Sequence, residues 1–273
     1  MIILSLGAGV QSTCLYLMAV QGELEIDCAI FADLGDEPGP VYRHLDWLKS
    51  LSGPQIHTVT VGKLGDHLIQ GMNSTGGRFA SIPAWTAAKV GEPLGKVRRQ
   101  CTREYKIAPI ERFIRRTLFN LEPGQRFPKG VEINQLFGIS LDEAARAWRI
   151  KSNAPAWCSP VFPLIERMMT RADCLKWLES FGVPHSVPRS ACVFCPYKSD
   201  QEWVWLREND RSGFNRALEI DEGLRKSGSV VNRGLNEMLY LHRSARPLKD
   251  VALTDKDRGQ GEFSYECEGG CGL

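Results

Sequence analysis

The sequence predicts an open, doubly wound, mostly parallel α/β sheet with a helical C-terminal extension. Three observations carry this prediction. Short apolar runs alternate with stretches of helical periodicity from the first residues onward. A glycine-rich turn joins the first run to the first helix, and the second run ends in a cluster of Asp, Gly and Pro. Such strand-helix alternation favours a parallel sheet with ligands beyond the carboxyl ends of its strands.

Residues 2–6 form the first apolar run, Gly7-Ala8-Gly9 the turn, and residues 12–20 a helix with Leu15, Met18 and Ala19 at helical spacing. Residues 26–32 read as a second strand, closing in Asp33-Leu34-Gly35-Asp36-Glu37-Pro38, and residues 41–51 as a helix carrying Tyr42, Leu45 and Leu48. A third strand at residues 56–61 completes a βαβαβ beginning. Residues 71–95, rich in Gly, Ser, Thr and Pro, read as a long loop suited to be a lid. Residues 102–118 form a basic helix with Ile107, Ile110 and Ile114 on one side, broken or restarted at Pro109. A strand at 135–139 and a helix at 141–149 follow. Thr170-Arg171-Ala172-Asp173 fits a variant capping box for a helix that Gly182-Val183-Pro184 stops. Beyond Lys198 the chain is helical and charged, then polar, so residues 1–200 are expected to form the main domain and 201–273 a helical extension with a Cys-containing tail. Trp203 and Trp205 read as packing residues rather than base-stacking ones.

With 273 residues, 43% hydrophobic and 24% charged, the chain can bury a substantial core. A net charge of +2 argues against a broad surface for duplex nucleic acid but leaves room for a local basic patch. The opening residues show no basic leader before a cleavable apolar segment, and no apolar stretch approaches the roughly 20 positions that span a bilayer. A cytoplasmic protein without a membrane partner is therefore expected. Nine cysteines in a reducing compartment, an odd number, point away from a disulfide framework and toward metal or sulfur chemistry.

A glycine turn between strand and helix lets backbone N–H groups approach phosphate oxygens, and the helix N-terminus adds favourable partial charge. Ser5, Gly7, Ala8, Gly9, Val10, Gln11 and Ser12 form the candidate cradle, with hydroxyls at both ends; a plain tight turn is the bland alternative. Gly7-Ala8-Gly9 followed by Asp33 also fits a dinucleotide fingerprint, but Ser12 replaces its third glycine. Asp33, Gly35 and Asp36 lie where carboxylates would hold Mg²⁺ or accept from ribose hydroxyls, with helix capping as the structural alternative for Asp36. Lys96, Arg98, Arg99, Arg103, Lys106, Arg112, Arg115 and Arg116 are the densest basic run. Most suit a solvated face, yet Arg98 and Arg99, just before Cys101, are placed to grip phosphate or sulfate, and the run could touch RNA. Cys192 and Cys195 can face one ion or cluster. Cys14, Cys28 and Cys174 fall within regular elements and are assigned no chemistry.

Residues 5–12 resemble the modified P-loop of the adenine nucleotide α-hydrolase superfamily, which includes the N-type ATP pyrophosphatases and the phosphoadenosine phosphosulfate (PAPS) reductases. The segment from Ala32 to Pro38, with Tyr42 after it, resembles the reductases' aspartate-threonine-glycine stretch, and Cys101-Thr102-Arg103-Glu104-Tyr105-Lys106-Ile107-Ala108-Pro109-Ile110 the cysteine-pair, lysine and proline-leucine stretch of the iron–sulfur adenylylsulfate reductases. Pro163-Leu164-Ile165 through Trp177 and Pro184 is similar to their late helix, and Cys192-Val193-Phe194-Cys195-Pro196 to their second cysteine pair. The resemblance spans roughly residues 2–200 in order.

Two positions depart from it: Gln11 stands where pyrophosphatases have aspartate, and Thr102 where the second adjacent cysteine would be. The resemblance implies binding of ATP or another adenine nucleotide with Mg²⁺, chemistry at the α-phosphate with Asp33 in the site, and Lys106 among the nucleotide-binding residues. It implies a [4Fe–4S] cluster on Cys101, Cys192 and Cys195 with one iron open for sulfur transfer. Zinc, with Cys158 or His185 as fourth ligand, is the structural alternative. Glu266-Cys267-Glu268-Gly269-Gly270-Cys271-Gly272-Leu273 resembles the tail carrying the reductases' nucleophilic cysteine, with Cys271 as the match, although the closing histidine is absent and flanking acids disfavour the thiolate. True sulfonucleotide reduction through Cys271 is the rival enzymatic reading, and a non-catalytic nucleotide-binding subunit of a mobile-element or defence complex the third. The corresponding partners are a sulfur donor or thioredoxin-like protein, RNA, or a larger complex.

Overall fold

The computed structural model describes residues 1–79, 81–226 and 237–254. Its centre is a five-stranded sheet of β1 (Ile2–Leu6), β2 (Cys28–Ala32), β3 (Gln55–Val59), β6 (Ile133–Phe137) and β7 (Cys158–Val161). Their order is β3-β2-β1-β6-β7 and every neighbouring pair is parallel. The expected doubly wound α/β sheet is thus present. β1 lies in the middle, and the order reverses beside it, the topological switch point at which ligands of such sheets bind.

The alternation of side chains along β1 and β2 builds two cores. Ile3, Cys28, Ile30 and Ala32 face Ile110 and Ile114 on one side, while Leu4, Leu6, Ala29 and Phe31 face the other. That second side is covered by α1 (Val10–Val20), α2 (Gly39–Ser50) and α7 (Arg171–Phe181). α1 is buried from Val10 to Met18, sandwiched between the sheet and α7, which explains an apolar character all round. Ile110 and Ile114 belong to a helical stretch in which α4 (Ala108–Phe113) is flanked by wide π turns at Arg103–Ile107 and Ile114–Leu118. Pro109 sits in the first turn of α4, where a missing N–H costs least, so the helix restarts there.

The long loop expected at residues 71–95 is corrected by the structure. β4 (Trp85–Ala87) and β5 (Pro93–Lys96) pair there as an antiparallel hairpin, and β8 (Met238–Tyr240) joins as β4's other neighbour. Strands of three and four residues containing Pro93 and Gly95 carry too little alternation to register in the sequence, and their partner is far along the chain. A third core joins α3 (Leu64–Ile69), α8 (Asp200–Asn209) and α9 (Arg211–Lys226) through Leu64, Leu68, Trp203, Leu206, Ile220 and Leu224, with residues from both sides of position 200. Trp203 is fully buried as expected, but Trp205 is 46% exposed on the outer face of α8 and does not pack in the core. No helix among the described residues is long and apolar enough to cross a membrane.

The capping box at α7 is complete: Thr170 Oγ1 accepts from the Asp173 N–H at 3.3 Å, and Asp173 Oδ2 from the Thr170 N–H at 3.0 Å. Gly182 ends the helix in the left-handed conformation (φ 82°). Thr170→Ala is expected to lower stability by about 1 kcal/mol, readable as a shifted urea midpoint at unchanged slope.

Candidate functional site

The loop from β1 to α1 lies at the carboxyl edge of the central strand. Ala8, not a glycine, adopts the left-handed conformation (φ 59°), whereas Gly9 is extended (φ −97°, ψ −178°). A β-carbon in that region costs roughly 1 kcal/mol, which burial of the Ala8 methyl in the core offsets. The loop is braced from within. Ser12 Oγ accepts from the Gly7 N–H at 3.2 Å and donates to the Gly9 carbonyl at 3.4 Å, while Ser5 Oγ accepts from Gln135 Nε2 at 2.7 Å. The Gln11 amide is occupied as well: its Nε2 donates to Glu143 Oε2 at 3.0 Å and its Oε1 accepts from Arg171 Nη1 at 2.8 Å. Glu143 also pairs with Arg146, so the first turn of α1 is tied to two neighbouring segments by charged side chains.

Over this loop lies a small cavity walled by Ser5, Leu6, Gly7, Ala32, Lys106 and Ile110. Lys106 enters from the π turn ahead of α4, whose wider spiral places it on the sheet side among buried neighbours. Its Nζ stands 3.5 Å from Glu37 Oε1, and the side chains are only 4% and 0% exposed. The other oxygen of Glu37 is buried without a hydrogen-bond partner. Lys198, also buried, lies close enough to feel Glu37; burial pushes its pKa down, against the opposing pull of Cys195, Cys192 and Glu37.

The two sequence-predicted carboxylates diverge. Asp33 Oδ1 accepts from the Gly35 N–H at 2.8 Å and from the Tyr42 hydroxyl at 2.9 Å, which fixes the carboxylate just past β2. Gly35 needs its left-handed backbone (φ 77°), and a β-carbon there would meet Lys63 at 2.6 Å. Burial first, then the charge of Asp33, pushes the Tyr42 phenol pKa up, so it stays a donor. Asp36 instead accepts from the Gly65 N–H and from Arg216 Nε, both at 2.8 Å, and joins α3 to α9.

The structure describes all three cysteines expected to hold a cluster. Cys192 is buried in the third core, Cys101 packs against that core, and a turn closes from the Cys195 N–H to the Cys192 carbonyl at 3.0 Å. Yet among the described residues no three His, Cys, Asp or Glu side chains are arranged to hold a metal ion. The proposed fourth zinc ligands are engaged elsewhere: Cys158 Sγ donates to Gln135 Oε1 at 3.2 Å, and His185 pairs with His44. As they stand, the described residues hold no ready-made ligand set for a cluster or zinc, while Mg²⁺ at a nucleotide needs only one or two carboxylates beside phosphate oxygens. Arg98 and Arg99 line neither the loop cavity nor the cleft beside it; the Arg98 carbonyl accepts from Ser81, and Arg99 lies over Tyr197 at 5.7 Å. Cys271 lies outside the described residues.

Behind the loop runs a chain the sequence reading did not pick out. Thr13 Oγ1 is 2.9 Å from His44 Nε2, and His44 Nδ1 is 2.8 Å from His185 Nε2. Burial first, then His185, lowers the His44 pKa to about 4. Unfolded, the ring protonates near 6.5, so this group stabilises the fold above that pH and the contribution is lost as pH falls toward 4. A loss of about 3 kcal/mol is expected across the window, with a flatter pH profile of unfolding free energy in His44→Gln. Glu37, Gln135, Glu143 and Arg171 were missed for the same reason: each is an ordinary polar residue in sequence and acquires its place only by tertiary pairing. Comparison with protein-family models, with curated proteins and with solved structures returns no match.

Proposed function

We propose that the protein is an adenine-nucleotide-binding enzyme of the PAPS reductase-like kind, acting at the α-phosphate of ATP from the β1–α1 loop. One observation carries the reading: the glycine loop at the carboxyl end of the central parallel strand is roofed by a buried lysine, Lys106, across a cavity walled by Ser5 and Gly7. Phosphate oxygens placed there would meet the start of α1, a helix of 11 residues, and the Lys106 ammonium. Glu37 positions that ammonium, and Asp33, fixed by Gly35 and Tyr42, accepts from ribose hydroxyls. Catalysis by these residues is positioning and neutralisation of charge developing on the phosphate as pyrophosphate leaves. Sulfur transfer, implied by the resemblance, would need the cysteines in another arrangement.

Incubation with ATP labelled at the α-phosphate, followed by chromatography, is expected to yield labelled AMP with release of pyrophosphate. Labelled ADP in its place, or no turnover with any acceptor, would overturn the assignment to the α-phosphate.

A further inference from the structure

A second cleft, partly open to solvent, lies on the β6 and β7 side of the loop. It shares Ser5 and Ile110 with the loop cavity, so the two spaces adjoin across one hydroxyl and one aliphatic side chain. We infer that this cleft binds a second substrate, a flat, neutral nitrogen heterocycle presenting an N–H edge to Glu111, beside the nucleotide at the loop. The inference rests on the nucleotide reading only for that neighbour.

The walls decide the chemical class. Ile107, Ile110, Phe137 and Ile150 supply apolar lining, and Ser5, Glu111, Gln135 and Cys158 add a few polar groups, the combination that suits a flat ring with a polar rim. A second phosphate or carboxylate is disfavoured. Glu111 is at the wall, and Arg103, the cation lining the cleft, is already bound to Glu111 Oε1 at 2.7 Å. One carboxylate oxygen is thus engaged, and a carboxylate keeps a second acceptor oxygen for an N–H. The remaining polar wall is neutral: Cys158 donates to Gln135, Gln135 donates to Ser5, and burial together with Glu111 raises the Cys158 thiol to about 11, so it stays protonated at neutral pH. That chain of hydrogen bonds also runs from the cleft wall to the loop itself, linking the two subsites through Ser5.

The test titrates pyrrolocytidine, a fluorescent neutral heterocyclic nucleoside unlike adenosine, into protein saturated with the non-cleavable α,β-methylene-ATP. Saturable binding is expected, weakened about tenfold or more by Ala154→Phe, which fills the cleft from its rim, and by Glu111→Gln, which turns an acceptor edge into an amide. Both variants should retain the wild-type melting transition and affinity for the ATP analogue. Displacement of the analogue by the nucleoside, absence of nucleoside binding, or unchanged binding in both folded variants would overturn the inference. Nucleoside binding that Ala154→Phe blocks, in a protein that does not take up the ATP analogue, would sink the nucleotide reading and leave the cleft assignment standing.

Discussion

Lys106→Met is expected to cost about 3–5 kcal/mol of stability and to abolish nucleotide binding, because it leaves the fully buried carboxylate of Glu37 without its cation. The paired ions gain little net energy over an apolar pair, but removing one partner exposes the whole desolvation penalty of the other. One oxygen of Glu37 already lacks a hydrogen bond, so the carboxylate depends on Lys106 and the more distant Lys198. Adding Glu37→Gln to Lys106→Met should restore most of the lost stability without restoring affinity for ATP. Urea unfolding of the two single variants and the double variant isolates the coupling; additive effects would show that the two residues do not act as a pair.

Asp36→Asn is expected to cost about 3 kcal/mol while leaving nucleotide affinity near wild type, the reverse of what a ligand-binding carboxylate would show. Asp36 is buried and held by Arg216, which also pairs with Asp66 and Glu219, so the network fastens α9 to the start of α3. Gly65 marks how closely these elements approach: a β-carbon there would come within 2.5 Å of Ile220 and 2.7 Å of Asp36. Asp33→Asn should behave oppositely, weakening nucleotide binding with little change in unfolding free energy. Parallel calorimetric and urea titrations of the two variants test the division; a drop in affinity confined to Asp36→Asn would contradict it.

The parallel sheet was legible because β1, β2 and their helices announce themselves through local periodicity, and periodicity survives without knowledge of partners. The β4–β5–β8 sheet was not, since its strands are short, interrupted by Pro93 and Gly95, and completed from a distant part of the chain. The same division runs through the site. Gly7, Ser5 and Lys106 were readable from a motif and its order, and the structure brings all three to one cavity. Which residue of the turn takes the left-handed conformation was not readable: two glycines flank Ala8, and the alanine adopts it. The sequence favours Asp33 over Asp36 for the site, and what holds each emerges only in the fold, where Tyr42 claims one and Arg216 the other. The cysteines show the limit of spacing: Cys192 and Cys195 share a turn, yet Cys101 does not complete a ligand set with them.

The central claim is that the β1–α1 loop carries the phosphates of an adenine nucleotide, and calorimetric titration of ATP into wild-type protein and Gly9→Val tests it most directly. The extended backbone of Gly9 takes a β-branched residue without conformational strain, and a branched side chain at the N-cap of α1 would crowd the start of the helix, where phosphate oxygens would lie. Saturable binding to the wild type, lost in a variant with an unchanged melting transition, is the predicted result. Absence of binding to the wild type, or equal affinity in both proteins, would contradict it.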